Sequence, residues 1–261
     1  MAHFSIAVII NTHKNPTKLK AVLHSFTKQT KLPDEIIVAE DGIDAATQEV
    51  IKQFKDKKAL RIKHVNQEHN GYRRCHILNK AIRTAESDYL VFMDGDCVAP
   101  KKFVQDHKNL AEQGYFVQGR RCFIKEEAVD SFITGTHGIV KLMLTGKMYG
   151  LFKGIRWPFA KINIDQKERG LLGCNLAIWK KDLETVNGYD EDFTGWGKED
   201  SDVCFRLYHL GRKRKFVYGR AYLYHLDHPK LSRAKVETNQ VLFDETKKTR
   251  KVQCINGLIS A

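Results

Sequence analysis

Three apolar runs, each stopping at a polar or acidic turn, set the strongest limit on what this chain can fold into. Phe4–Ile10, Glu35–Ala39 and Tyr89–Met93 lack the strict alternation of a strand with one wet face. They read as strands covered on both sides of a sheet. Helical spacing recurs between them: Leu19, Val22, Leu23 and Phe26 within Thr17–Gln29, and Ile77, Leu78, Ala81 and Ile82 within Arg74–Thr84. A helix near Ala45–Phe54 and a strand near Leu60–Val65 keep up the alternation. Strand–helix repetition predicts an α/β fold, with a Rossmann-like, mostly parallel central sheet, right-handed crossovers and flanking helices. Ligands of such sheets sit beyond the carboxyl ends of the strands. The turns Asn11–Asn15, Glu40–Gly42 and Asp94–Asp96 all follow strand ends, so they are expected to gather in one place.

Past Pro100 the pattern loosens. Phe103–Gln113 reads as a helix and Tyr115–Ile124 as a strand interrupted at Gly119-Arg120-Arg121. From Ala128 to Phe159 apolar residues mix with lysines and glycines. Ile139, Leu142, Met143, Leu151, Phe152 and Trp157 there suit a core helix, an acceptor-site lid or a surface resting on a membrane. A single compact domain over residues 1–231 is expected, with a nucleotide-binding half (1–100) and an acceptor and catalytic half (101–231). A basic helix and tail would occupy 232–261.

Of the 261 residues, 42% are hydrophobic and 29% charged, which suits a chain with a buried core rather than disorder. No stretch approaches the roughly 18 uninterrupted apolar residues of a membrane span, and the start lacks a secretory pattern. The six cysteines form no C-x-x-C pair, which argues against a zinc ribbon or disulfide framework and for a reducing, cytoplasmic setting. A net charge of +13 favours anionic partners or simply solubility.

Two acidic clusters carry the chemistry. Asp94 and Asp96 follow a buried strand directly and repel each other unless a cation or donors stabilise them. Mg²⁺ and Mn²⁺ take oxygen ligands and leave positions open for phosphate, so the pair suits a metal-bound diphosphate; an ordinary Asp-Gly turn is the plain alternative. Asp41, also at a strand end, could accept from a uracil imide or cap a turn. The second cluster is Gly195-Trp196-Gly197-Lys198-Glu199-Asp200-Ser201-Asp202. Acidic residues at a helix start are favoured by the helix dipole, but that does not explain the Gly-Trp-Gly before them. Glycosyl transfer with inversion needs one general base and neutralisation of a departing diphosphate, and the sequence offers a candidate for each.

At this point the motifs resemble family 2 glycosyltransferases of the GT-A fold, over roughly Ser5–His228. The donor half is carried by Ile6–Ile10, Glu40-Asp41-Gly42, Gly71-Tyr72-Arg73-Arg74 with Asn79-Lys80-Ala81, and Met93-Asp94-Gly95-Asp96. Gly173-Cys174-Asn175-Leu176-Ala177 and the Gly-Trp-Gly cluster carry the acceptor half. The latter is similar to the motif of β-1,4-galactosyltransferases, chondroitin-type polymerases and polypeptide N-acetylgalactosaminyltransferases. The resemblance implies that Thr12, Asp41, Arg73, Arg74 and Asp94 bind nucleotide. It makes Asp96 and His225 (His228 in reserve) ligands of Mn²⁺ or Mg²⁺, and Asp200 the base. Glu199, Trp196, Gly197 and Asn175 would meet the acceptor or the sugar. Surface solvation remains open for the two arginines, and a structural role for His225.

Asn11 stands where the family usually has proline. With no anchor or second catalytic domain in view, the expectation is a bacterial transferase of lipopolysaccharide or capsule assembly at the inner face of the plasma membrane. Its partners would be a UDP-sugar donor, a glycan or glycolipid acceptor and an anionic membrane surface, with no nucleic acid. A nucleotidyltransferase would need a glycine-rich loop after the first strand, and Asn11–Thr17 has none. A basic nucleic-acid- or membrane-binding protein without activity would leave the acidic clusters unexplained.

Overall fold

The computed structural model describes residues 3–55, 60–150, 156, 160–228 and 233–259. Strands β1 (Ile6–Thr12), β2 (Glu35–Asp41), β3 (Ile62–Gln67) and β4 (Tyr89–Asp94) alternate with helices α1 (Pro16–Phe26), α2 (Ala45–Lys55) and α3 (Arg74–Thr84). The four strands pair in parallel, in the order β3-β2-β1-β4. Ile6, Val8 and Ile10 pack on one face against Leu19, Val22, Leu23 and Phe26 of α1. Ala7 and Ile9 pack on the other against Ile77, Leu78, Ala81 and Ile82 of α3. Two-sided burial is why these strands read as unbroken apolar runs. Each fully buried aliphatic side chain contributes about 1.5–3 kcal/mol relative to exposure. Helix α1 begins where expected, with Pro16 in its first turn and the Asn15 carboxamide accepting from the Lys18 N–H at 3.3 Å.

The second half extends the same sheet. Strands β6 (Tyr115–Gln118), β9 (Lys161–Asp165), β10 (Asn175–Trp179) and β11 (Lys213–Tyr218) complete an eight-stranded order β3-β2-β1-β4-β10-β6-β11-β9. Strand β10 runs antiparallel to both β4 and β6. A smaller sheet holds β5 (Cys97–Val98), β12 (Tyr222–Leu226), β7 (Arg120–Ile124) and β8 (Met148–Tyr149). The expected single strand Tyr115–Ile124 is thus split between two sheets at Gly119. A Cβ there would stand 2.2 Å from the Ala221 carbonyl oxygen, so only glycine turns this corner.

Helix α4 (Phe103–Leu110) ends short of Gln113, because Ala111 is extended. Residues 128–150 form short helices α5 (Val129–Ile133) and α6 (Ile139–Leu144) before β8. Leu151, Phe152 and Trp157 lie outside the described residues. Helix α7 (Lys180–Thr185) follows β10, and α8 (Glu199–His209) follows the Gly-Trp-Gly turn.

The terminal segment is bound into the fold. Helix α9 (Val236–Thr249) buries Phe243 against Phe205 of α8, ring centroids 5.0 Å apart. Among the described residues no helix is long and apolar enough to cross a membrane, and all six cysteines are buried and unbridged.

Candidate active site

The carboxyl ends of β1, β2 and β4 meet as the parallel sheet requires. Asp41 closes β2, 5% exposed. Its carboxylate accepts from Gln67 Nε2 at 2.8 Å and from the Arg73 backbone N–H at 3.2 Å, and the His69 imidazole stands 3.9 Å away. The Arg73 guanidinium reaches the Glu68 carbonyl at 2.8 Å, while its Nε is buried without a hydrogen-bond partner. Thr12 ends β1, 4% exposed, and its hydroxyl is likewise buried and unsatisfied, as is Asn11 Oδ1. Buried polar atoms left unpaired cost free energy, and several around one strand-end crevice mark a place shaped for a polar ligand.

Asp94 ends β4 and Asp96 follows two residues later. Gly95 lets the turn close over β1: its N–H donates to the Asn11 carbonyl at 2.7 Å, and a Cβ would lie 2.8 Å from the Thr12 side chain. Strand β5 begins immediately after Asp96 and pairs with β12 so that His225 faces Cys97. That register delivers His225 to the acidic turn, although 129 positions separate it from Asp96 (225 − 96). His225 Nε2 lies 3.7 Å and His228 Nε2 3.0 Å from Asp96 oxygens.

Asp96, His225 and His228 form a convergent group able to hold a metal ion, with Asp94, Asp96 and Cys97 overlapping it. A carboxylate with two imidazoles can hold a divalent transition ion such as Mn²⁺, and it fits Mg²⁺, which takes oxygen ligands, less well. Burial pulls Asp96 upward, but the contact with His228, with His225 behind it, holds its pKa below the usual range. Burial lifts Asp94 above that range; Arg74 opposes it without cancelling it, and Asp96 adds repulsion. Burial also drives the His225 pKa down to about 4 against the pull of Asp96. Its imidazole is therefore neutral near pH 7, the form that binds metal. Sequence reasoning held His228 in reserve; both histidines are at the turn.

The second cluster comes to the same crevice. Gly195, Gly197 and Lys198 have φ of 74°, 118° and 73°, a left-handed path that glycine takes without penalty. It swings the start of α8 back toward β4. Asp200 accepts from the Gly173 N–H at 2.8 Å and from Arg74 Nη1 at 2.7 Å. The same guanidinium lies 3.5 Å from Asp94 and 3.6 Å from Glu199. Arg74 is 5% exposed and ties the two acidic clusters together. Burial, then repulsion from Asp200, lifts the Glu199 pKa to about 7, with Arg74 opposing; Glu199 also accepts from the Gly197 N–H at 3.0 Å.

Trp196, in the turn before this cluster, is 40% exposed, with the Arg233 guanidinium 5.5 Å from its ring. Asn175, expected to meet the sugar, is 1% exposed. Its amide donates to the carbonyls of Arg120 and Ala221 and its oxygen pairs with His107 Nε2. It is a strut between the two sheets rather than a cleft residue. Sequence reasoning missed the clamp on the glycine turn: Asn239 of α9 donates to the carbonyls of Thr194 (3.2 Å) and Gly197 (2.8 Å). It also missed Gly173 as the anchor of Asp200, although the Gly173-Cys174-Asn175 motif was in view.

Comparison with known proteins identifies the family. The family described as Glycosyl transferase family 2 matches residues 7–174, and one described as N-terminal domain of galactosyltransferase matches residues 155–229. The chain is 28% identical over 242 residues to a chondroitin synthase of Escherichia coli, covering 86% of this chain and 35% of that protein. It is 28% identical over 221 residues to validoxylamine A glucosyltransferase of Streptomyces hygroscopicus subsp. limoneus, covering 79% and 48%. It therefore spans about a third to a half of the length of these relatives.

Among solved structures, GalNAc-T7 with UDP, GalNAc and Mn²⁺ superposes with a TM-score of 0.68 at 14% identity, covering 93% of this chain and 48% of that one. The mannosyltransferase PcManGT from Pyrobaculum calidifontis, in complex with GDP-Man and Mn²⁺, gives 0.61 at 16%, covering 96% and 65%. With the family matched over more than half of its length and the fold shared with these structures, the chain belongs to glycosyl transferase family 2 and has the GT-A fold.

Proposed function

We propose that this chain is a metal-dependent, inverting glycosyltransferase domain moving a hexose or N-acetylhexosamine from a UDP-sugar to a hydroxyl of a glycan or glycolipid acceptor. The observation that carries the reading is Arg74: one buried guanidinium lies 3.5 Å from Asp94 and 2.7 Å from Asp200. That shared guanidinium supports a reading in which the metal-type turn and the candidate base face one crevice. Asp96, His225 and His228 would hold Mn²⁺ or Mg²⁺, and the unsatisfied Thr12 hydroxyl beside Asp41 suits a nucleoside. A bound divalent ion would neutralise the growing charge of the leaving diphosphate.

The chain's own groups do the rest. Asp200, oriented by Gly173 and Arg74, takes the proton of the acceptor hydroxyl as its oxygen bonds to the anomeric carbon. The bond from that carbon to the diphosphate oxygen breaks, and its electron pair leaves with UDP. Attack from the face opposite the leaving group inverts the anomeric centre. Glu199 can donate or accept toward a sugar hydroxyl near neutral pH, and Trp196 offers an indole face. UDP-linked ligands in the related structures of Staphylococcus aureus TarS also support a uridine donor. Assembly of lipopolysaccharide or capsule at an anionic membrane surface is the setting proposed for this activity.

The test is a panel of UDP-sugars with Mn²⁺, scored by UDP release with and without EDTA, for the wild type and Asp200→Asn. Metal-dependent turnover that Asp200→Asn abolishes is expected. Consumption of no donor, or full turnover by Asp200→Asn, would overturn the reading.

A further inference from the structure

One group close to this crevice has no part in the transfer chemistry. Phe116 and Gln118 alternate along β6 and so share a face of the large sheet, and beyond the Gly119 corner Arg120 begins β7 of the smaller sheet. The register Phe116↔Arg214 and Gln118↔Phe216 sets Arg214, Phe216 and Tyr218 of β11 beside them. Helix α8 covers one end of this face, with Phe116 against Tyr208 at 5.4 Å. At the other end the Arg120 guanidinium lies 4.8 Å from the Phe216 ring and 5.4 Å from the Tyr218 ring.

Arg214 also lies over Phe216, at 4.6 Å, but its donors are committed to Asp165 (2.7 and 2.9 Å) and to the Arg169 carbonyl (3.0 Å). Arg120 differs. Among the described residues no carboxylate or carbonyl accepts from its guanidinium. A guanidinium held against aromatic faces with its N–H edges unclaimed presents a planar donor fork that matches carboxylate or phosphate.

Its place relative to the candidate base follows from one loop. A Cβ on Gly170 would come within 3.7 Å of Arg120 Nη1 and 3.2 Å of the Phe216 ring. Three residues on, the Gly173 N–H holds Asp200. At most about 11 Å of backbone separates those two glycines. A glycan whose reacting hydroxyl is at Asp200 can therefore extend as far as Arg120.

We propose that Arg120, held against Phe216 and Tyr218, binds an oxyanion carried by the acceptor glycan, a carboxylate or a phosphate. This rests on the transferase reading. Burial lowers the Arg120 pKa; Tyr218 opposes this, while Arg214 and Arg121 add like charge. An anion from the acceptor would supply the missing counter-charge.

The experiment uses the full chain on a glycan array in the presence of UDP and Mn²⁺. The array pairs neutral oligosaccharides with counterparts that carry glucuronate or a phosphate. The wild type is expected to prefer the anionic members. Arg120→Gln should weaken binding to them by about ten- to a hundredfold, the cost of a lost charge-assisted hydrogen bond, and leave binding to neutral members unchanged. Arg120→Lys should retain part of the preference.

The control is Lys181→Gln, an equal charge change on an exposed residue of α7, next to the end of β10 that pairs with the start of β4. A wild type with no anionic preference, an Arg120→Gln that keeps it, or an equal loss in Lys181→Gln would overturn the proposal. Which anionic series binds separates carboxylate from phosphate. UDP release without acceptor, measured on the same variants, tests the transferase reading separately. Donor hydrolysis preserved in Arg120→Gln while anion preference disappears is the expected pattern.

Discussion

Glu199→Gln isolates the electrostatics of the crevice without any knowledge of the substrate. Glu199 is 5% exposed, beside Asp200 and 3.6 Å from Arg74. One guanidinium faces Asp94, Glu199 and Asp200. Burial, then repulsion from Asp200, lifts the Glu199 pKa from 4.5 to about 7, with Arg74 opposing. A carboxyl whose pKa is higher in the folded than in the unfolded state binds more protons when folded, between those two values. Its contribution to stability is therefore present at low pH and lost as pH rises from 4.5 through about 7.

From about pH 5 to about pH 8 the loss amounts to about 2.5 kcal/mol for such a shift. Gln has the shape of a protonated Glu and cannot ionise. Any fixed cost of the swap, such as a weaker bond from the Gly197 N–H, is present at both pH values and cancels in the comparison. Urea unfolding of wild type and variant across this range is the assay. The variant should gain on the wild type by about 2.5 kcal/mol toward high pH. Parallel profiles, or a variant that loses ground as pH rises, would refute the account of three carboxylates sharing one cation.

Gly173→Ala places a Cβ 2.1–2.4 Å from the Asp200 carboxylate and must push it away. Turnover should fall about a hundredfold, the scale of a misplacement near 1 Å, while UDP binding stays intact; near-normal turnover would remove Asp200 from the base role. Arg74→Met leaves Asp94, Glu199 and Asp200 without their cation and should cost about 3–5 kcal/mol, a fall in Tm of roughly 10 °C for a chain of this size. An unchanged melting curve would contradict the structural weight given to Arg74. His225→Ala should weaken Mn²⁺ binding at least about tenfold, read by titration calorimetry, and equal affinity would exclude His225 as a ligand.

What the sequence made legible follows from the range of the interactions involved. The runs Ile6–Ile10 and Tyr89–Met93 announce themselves because both faces of each strand are buried, which leaves a continuous local pattern. The Asp94-Gly95-Asp96 turn is legible for the same reason, since it interrupts such a run. The corner at Gly119 is not, because its cause is the Ala221 carbonyl on another strand. Asn175 reads as a polar residue near a motif, and only the placement of Arg120, Ala221 and His107 shows its amide to be spent inside the fold. Arg74 lies 126 positions from Asp200, and no local spacing links them. Asn239 carries no signal at all, being one polar residue in a helix that packs on α8.

The charge layout then has a physical logic. The chain carries +13 overall, yet its crevice gathers Asp41, Asp94, Asp96, Glu199 and Asp200 around Arg74, with Arg121 also acting on Asp94 and Lys18 on Asp96. A basic exterior draws anions toward the protein, but a crevice with that deficit repels them unless a cation enters first or with them. Nucleotide affinity should therefore depend on divalent metal more steeply than the net charge alone suggests. Arg74 makes the two halves of the crevice depend on each other: it is shared between Asp94, beside the metal-type turn, and Asp200, the candidate base. A cation bound at Asp94 and Asp96 would lessen the demand of Asp94 on that guanidinium and leave it to Asp200. Loading of the donor side would thereby be coupled to the setting of the candidate base through one side chain, with no movement of the sheet required.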